Sequence, residues 1–94
     1  MKRILVIHGK KHDSYARTLH EIEERAEKPP LTWAPYMGQR HGLFDIIEME
    51  HAELKEMRAS GTHPQIIKEL VDLAAACLCA AHKMTCPKED NDHD

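Results

Sequence analysis

The distribution of apolar residues along the chain predicts a helical protein with one short N-terminal strand. Ile4–Ile7 is a run of four apolar residues, mostly β-branched, that ends at His8-Gly9. Such a run is typical of a strand, although a flexible arm would have the same pattern. A lone strand needs a partner, which a second copy of the chain could supply.

The first predicted helix covers about residues 15–27. Asp13 or Ser14 is suited to its N-cap, and Pro29-Pro30 would end it. An ordered connection follows over residues 31–42. Three of the four aromatic residues fall between Trp33 and Phe44, so we expect this segment to pack on the core.

Two further helices follow the connection. The second predicted helix covers about residues 43–58, and Ser60-Gly61 would end it because glycine is common just beyond a helix. The third covers about residues 64–83, with Thr62 or His63 as its N-cap. The fold class predicted from these elements is all-α, a small helical bundle.

Two acidic residues intrude on the apolar stripe of the second predicted helix. At about 100° per residue, five apolar residues share one side: Leu43, Ile46, Ile47, Leu54 and Met57. Glu50 projects into the middle of this stripe, and Glu53 lies at its edge. Because an isolated buried carboxylate is costly, such a group is normally paired, protonated or bound to a metal.

The third predicted helix repeats this arrangement. Its apolar face is predicted to consist of Ile66, Leu70, Leu73, Cys77 and Met84. Glu69 and Asp72 lie on the flank of that face, next to Ala76 and Ala80, and their spacing of three makes them neighbours. If the two helices face each other, four carboxylates converge with no Lys or Arg at matching positions. Mg²⁺ or Mn²⁺, which prefer oxygen ligands, would relieve the repulsion.

Two other interpretations of these acids stay open from the sequence. They could be ordinary exposed side chains on loosely amphipathic helices, since glutamate is a common helix former. They could also form ion pairs with Arg40, His51 or Lys83.

The two acidic pairs resemble the E-x-x-E…E-x-x-D signature of MazG-type nucleoside triphosphate pyrophosphohydrolases, members of the all-α NTP pyrophosphatase superfamily. Residues 49–54 read MEHAEL, and 15 residues separate Glu53 from the second segment, ELVDL at residues 69–73. The resemblance covers about residues 43–84. Met49 stands where many members have the first of two consecutive glutamates.

The resemblance implies a bundle that is completed by dimerisation, in some members with further pairing into tetramers. It also implies Mg²⁺-dependent hydrolysis of a nucleoside or deoxynucleoside triphosphate to the monophosphate and pyrophosphate, with Mn²⁺ as a possible substitute. The residues that match the signature would be both metal ligands and catalytic residues: Glu50, Glu53, Glu69 and Asp72. The alternative is a non-catalytic nucleotide- or protein-binding protein on the same fold, such as a regulatory or phage accessory protein.

Candidate contacts to the rest of the substrate come from residues outside the signature. Lys83 lies on the same side of the third predicted helix as its acidic pair, and Arg40 precedes the second. Either side chain could bind phosphate. Trp33 or Tyr36 could stack on a base, although core packing is the commoner role of an aromatic residue in a small protein.

The charge is concentrated at the C-terminus. The chain has 13 Lys+Arg and 16 Asp+Glu, a net charge of −3. Residues 88–94 hold one Lys and four acids, so this acidic tail, predicted to be disordered, carries the whole net charge. Residues 1–87 form the predicted single domain, and their zero balance argues against a nucleic-acid-binding surface.

The compartment predicted from the sequence is the cytoplasm. No apolar run approaches the roughly 18 residues of a membrane span, and the N-terminus lacks the pattern of a signal peptide. Three cysteines are an odd number, which favours reduced thiols over a disulfide framework.

The cysteines offer one alternative metal site. Cys77, Cys79, His82 and Cys86 have the spacing C-x-C-x2-H-x3-C, and zinc binds such side chains. On a continuous helix, however, Cys77 and Cys79 point about 160° apart. The simpler interpretation is that Cys77 is a small buried hydrophobic residue.

Overall fold

Three α-helices, one 3-10 helix and one β-hairpin make up residues 4–13 and 15–85, which the computed structural model describes. The small all-α fold that the sequence predicts is confirmed. In chain order the elements are β1 Ile4–Ile7, β2 Lys10–Asp13, α1 Ala16–Glu27, the 3-10 helix Leu31–Tyr36, α2 Gly42–Ser60 and α3 His63–Thr85. No helix in this part of the chain combines the length and the apolar composition needed to cross a membrane.

The predicted strand is present, and its partner comes from the same chain. β1 pairs antiparallel with β2, with Ile7 opposite Lys10. His8 and Gly9 join the strands with φ angles of 52° and 79°. Two positive φ values are what a two-residue type I′ turn requires. Within residues 4–13 and 15–85, the hairpin packs on no helix.

The predicted N-cap of α1 is wrong. α1 begins at Ala16, and the N-cap residue is Tyr15, which makes no side-chain capping bond. Asp13 is instead the last residue of β2, a strand that the sequence pattern does not predict, and Ser14 lies outside the described residues. The end of α1 ahead of Pro29-Pro30 is confirmed.

The turn between α2 and α3 follows the predicted pattern closely. A Cβ on Gly61 would lie 2.8 Å from the carbonyl oxygen of Met57, so this position requires glycine. The Thr62 amide donates to Gln65 Oε1 at 2.8 Å, and the Gln65 amide donates to Thr62 Oγ1 at 3.4 Å. These reciprocal bonds form a capping box and confirm Thr62 as the cap of α3.

α3 is the central helix. α1 and α2 both pack on it, whereas no Cα atoms of α1 and α2 lie within 8 Å of each other in the described ranges. Among the described residues, few apolar side chains are buried, and most of them are small: Trp33, Ile46, Val71, Ala75, Ala76 and Ala80. The two large ones are Trp33 and Ile46. The alanines let the neighbouring helices approach α3 closely.

The predicted buried face of α3 is wrong. Leu70 and Met84 are 49% and 73% exposed, and Cys77 is also exposed, whereas Ile66 and Leu73 are half-buried. The buried side is the predicted flank, which carries Glu69, Asp72, Ala76 and Ala80. Because α3 is apolar nearly all round, its periodicity does not select the side that faces the other helices.

The aromatic residues of the connection divide between core and surface. The 3-10 helix packs on α2 and buries Trp33, while Tyr36 is half-buried against the same core. Phe44, which follows the connection near the start of α2, is exposed. The turn before α2 is tight, because a Cβ on Gly42 would collide with the carbonyl oxygen of Tyr36.

Candidate metal centre

α2 and α3 bring three of the four predicted acids together in the interior. One carboxylate oxygen from each of Glu50, Glu69 and Asp72 lies within 4.8 Å of the others. The exposed fractions of these residues are 1%, 9% and 1%. These three residues are called the acidic triad below.

Glu53 lies at the edge of the triad. It is half-buried on α2, one turn beyond Glu50. Burial raises the pKa of Glu53, and the neighbouring carboxylate of Glu69 raises it further through its charge and a shared hydrogen bond. The fourth predicted acid is therefore adjacent to the triad but more accessible than its members.

Two cations neutralise part of the triad, which contradicts the expectation that no Lys or Arg would match these acids. Arg25 Nε lies 3.0 Å from Asp72 Oδ1, and Lys68 Nζ lies 2.8 Å from Asp72 Oδ2. Lys68 Nζ is also 3.7 Å from Glu69 Oε2. Lys68 and Asp72 are four residues apart on one helix, a spacing that could have identified this pair. Arg25 is on α1, and no local spacing connects it with α3.

The two cations named from the sequence lie elsewhere. Arg40 is exposed and forms no ion pair with any residue of the described ranges. Lys83 is half-buried near the end of α3. At 1.5 Å per residue it is about 16 Å along the helix from Asp72. Neither supports a phosphate contact at the triad.

Trp33 has a different role from the one considered in the sequence. Its indole Nε1 donates a hydrogen bond of 2.7 Å to Glu50 Oε2, and both groups are buried. The ring therefore presents no free face on which a base could stack. The hydrogen bond from Trp33 holds Glu50 Oε2 against the indole, whereas Glu50 Oε1 accepts no hydrogen bond.

Each triad residue keeps one buried oxygen that accepts no hydrogen bond: Glu50 Oε1, Glu69 Oε1 and Asp72 Oδ1. Arg25 is near the last of these, but its N–H is not aligned with the oxygen as a hydrogen bond requires. A buried oxygen without a donor is costly, and most buried polar atoms in proteins have a partner. Three buried carboxylates that lie this close together and each keep such an oxygen favour a bound cation.

The charge balance favours the same conclusion. With all groups ionised, the triad and Glu53 carry −4, and Arg25 and Lys68 contribute +2, which leaves −2. One divalent ion would neutralise this remainder. Hard ions with oxygen ligands, Mg²⁺ and Mn²⁺, match a donor set made of carboxylates alone.

Without a cation, the protonated form of Glu50 is favoured over its ionised form more than in an ordinary glutamate. Burial raises the pKa of Glu50 to about 7. The hydrogen bond from Trp33 opposes this shift, whereas the charges of Asp72 and Glu53 add to it. For Lys68, the hydrogen bond with Asp72 raises the pKa of the ammonium group, which stays charged.

Trp33 is the single tryptophan of the chain, and it should report this protonation. We expect the fluorescence of the metal-free protein to change with pH with a midpoint near 7, because the Glu50 carboxyl that accepts the indole N–H ionises there. Glu50→Gln should abolish this titration, whereas Glu56→Gln, an exposed carboxylate on the same helix, should leave it intact. A midpoint that persists in Glu50→Gln would assign the signal to another group.

The cysteines do not form a metal site with the residues described. Cys77 is exposed, contrary to the expectation that it is buried, and Cys79 is half-buried against the core. Burial raises the pKa of the Cys79 thiol and keeps it protonated. Cys86 lies outside the described residues. Among those that are described, the acidic triad is the one group with the geometry of a metal site.

Comparisons of the chain with protein-family models, with curated proteins and with solved structures find no match.

Proposed function

We propose that this protein hydrolyses a nucleoside or deoxynucleoside triphosphate to the monophosphate and pyrophosphate with the help of Mg²⁺. The observation that carries the proposal is the acidic triad, which lies on two facing helices and has three buried oxygens that accept no hydrogen bond. The spacing of the acids supports it, because the two E-x-x-[ED] pairs are those of MazG-type pyrophosphohydrolases.

Glu50, Glu69 and Asp72 would hold the ion, with Glu53 as a further ligand at its accessible side. Mg²⁺ bound there would neutralise phosphate oxygens and acidify a coordinated water, and Mn²⁺ could take its place. Trp33 orients Glu50 through the 2.7 Å hydrogen bond. This orientation keeps the remaining Glu50 oxygen available as a ligand.

Glu53 is suited to accept a proton from the attacking water. It is more accessible than the triad, and its pKa is raised by burial and by Glu69. A carboxylate with a raised pKa is a stronger base than an ordinary one. The role of Glu53 would thus differ from that of the three buried acids.

We further propose that a second copy of the chain covers the outward side of α3. Five residues within about 100° of helix surface form this outward face: Leu70, Ala74, Cys77, Leu78 and Ala81. None is charged, and its two leucines are both more than two-fifths exposed. A helix that is apolar on both sides is normally buried on both sides. A homodimer, or a homotetramer built from it, would achieve this.

The test is release of pyrophosphate from a panel of NTPs and dNTPs in the presence of Mg²⁺. We expect release from at least one of them, and a loss of at least about a hundredfold in Glu69→Gln, because a metal ligand is removed. Glu48→Gln, an exposed glutamate on α2, is the matched control. Mn²⁺ binding without any release would instead favour the non-catalytic nucleotide-binding alternative.

A further inference from the structure

A groove between α1 and α3 adjoins the acidic triad. Its volume is about 500 Å³, within the roughly 300–1,000 Å³ of small-molecule sites. The floor is apolar, and the charged residues that line it are Glu21, Glu24, Arg25, Lys28 and Lys68. Two of these cations, Arg25 and Lys68, also contact Asp72, so the same side chains border both the groove and the triad.

Arg25 and Lys68 stand between the groove and the buried carboxylate. Each lies within 3.0 Å of one oxygen of Asp72, and the two contacts use different oxygens. Both side chains are nevertheless at least a third exposed, while the Asp72 side chain is almost fully buried. The cations are therefore accessible from the groove without any movement of the helices.

The groove has a weak positive balance. Arg25, Lys28 and Lys68 contribute +3, and Glu21 and Glu24, which are exposed on α1, contribute −2. In the described part of the chain, Lys28 forms no ion pair. The groove therefore has a net charge of +1, and Asp72 already contacts two of its three cations. Because this positive charge is small, the groove favours an anion whose charge is partly neutralised by a metal ion over a free anion.

We propose that this groove binds the phosphate chain of the substrate, with Arg25 and Lys68 as its phosphate contacts and Lys28 at its outer end. The proposal rests on the proposed function, and it deepens that function by locating the polyphosphate. A metal ion bound to Asp72 would neutralise its carboxylate and so weaken the attraction of that carboxylate for Arg25 and Lys68. Once Asp72 is a metal ligand, Arg25 and Lys68 have donors free for phosphate oxygens, which guanidinium and ammonium groups bind well.

Inorganic tripolyphosphate is the probe for this groove. We expect calorimetry in the presence of Mn²⁺ to show binding to the wild type and at least about tenfold weaker binding to Arg25→Gln and to Lys68→Gln, because each variant loses a charge-assisted hydrogen bond. Lys55→Gln and Arg58→Gln, which remove exposed cations from α2, should bind tripolyphosphate as the wild type does.

Mn²⁺ titration without phosphate distinguishes a phosphate contact from a structural role. Arg25→Gln and Lys68→Gln should bind Mn²⁺ as tightly as the wild type or more tightly, because they lack a counter-ion that competes for Asp72. Loss of Mn²⁺ binding together with tripolyphosphate binding would show that the two residues merely hold the site together and would overturn the proposal. Unchanged tripolyphosphate affinity in both variants would overturn it as well.

A metal-free experiment separates this proposal from the proposed function. Asp72→Asn releases both cations from a carboxylate, so we expect it to bind tripolyphosphate about tenfold more tightly than the wild type when no metal is present. Adding Arg25→Gln to this variant should reverse the gain. If the gain is observed but Mn²⁺ does not bind to the wild type, the groove is correct and the metal-dependent function is wrong. No gain contradicts the groove itself.

Discussion

Replacing Glu50 with glutamine is expected to stabilise the metal-free protein at pH 8 and to abolish the proposed release of pyrophosphate. The pKa of Glu50 is about 7 in the folded chain, against an ordinary value of 4.5. At about 1.4 kcal/mol per pKa unit, ionising this group in the interior costs up to about 3 kcal/mol. Glutamine removes that cost and can still accept the hydrogen bond from Trp33.

The size of the stability gained by Glu50→Gln depends on pH. Below pH 4.5 the carboxyl is protonated in both the folded and the unfolded chain and contributes no difference. As the pH rises from 4.5 to 7, the unfolded chain loses the proton first, so the free energy of unfolding of the wild type decreases. The advantage of Glu50→Gln should therefore grow across this interval and be complete above pH 7.

Chemical denaturation at pH 5 and pH 8, with Mn²⁺ calorimetry and a pyrophosphate-release assay, would check this prediction. We expect at least about hundredfold losses of both Mn²⁺ affinity and pyrophosphate release in Glu50→Gln, since an ion ligand is lost. Glu56→Gln should change neither stability nor activity. A Glu50→Gln protein that is less stable than the wild type at pH 8 would contradict the account of Glu50 as a buried group without sufficient partners.

Placing a charge on the outward face of α3 is expected to separate the copies of the chain. Leu70 is 49% exposed in the single copy, and Leu70→Lys would bring a lysine into the contact from each partner. Losing the burial of two leucines costs about 3 kcal/mol or more, so association should weaken at least about a hundredfold. Sedimentation velocity over a concentration series would measure the change.

Leu31→Lys is the matched control for this experiment. Leu31 is 90% exposed, more than Leu70, but it lies on the 3-10 helix and away from the outward face. If exposed leucines associated without specificity, both variants would reduce association. We expect only Leu70→Lys to do so. A wild-type chain that is monomeric at all concentrations would contradict the proposed homodimer directly.

Local spacing explains why much of the site could be predicted. The separation of three residues within each acidic pair fixes their shared side on a helix, and Gly61 with the Thr62 capping box fixes the turn that folds one helix onto the other. These two facts bring the acidic segments of α2 and α3 together, but they do not decide that Asp72 faces Glu50, which depends on the side of α3 that is buried.

The remaining parts of the site and fold depend on tertiary contacts. Arg25 reaches Asp72 from another helix, and Trp33 reaches Glu50 across 17 residues of sequence, so no periodicity reveals either contact. The buried side of α3 was mispredicted because large apolar residues normally mark the core, whereas here alanines and acids face inward. β2 was missed because KKHD has no β-branched or aromatic residue to indicate a strand.

The short turn between α2 and α3 has a consequence for the order of folding. The triad spans only residues 50–72, so we expect this helical hairpin, with its short-range contacts, to close early and to bring the carboxylates together. Arg25 is on a different helix and would join them when α1 docks. Until then Lys68 alone would offset the repulsion among the acids of the hairpin. A divalent ion in solution would therefore favour the closing of the hairpin. The rate of folding, and not only the proposed chemistry of the folded protein, would then depend on the concentration of that ion.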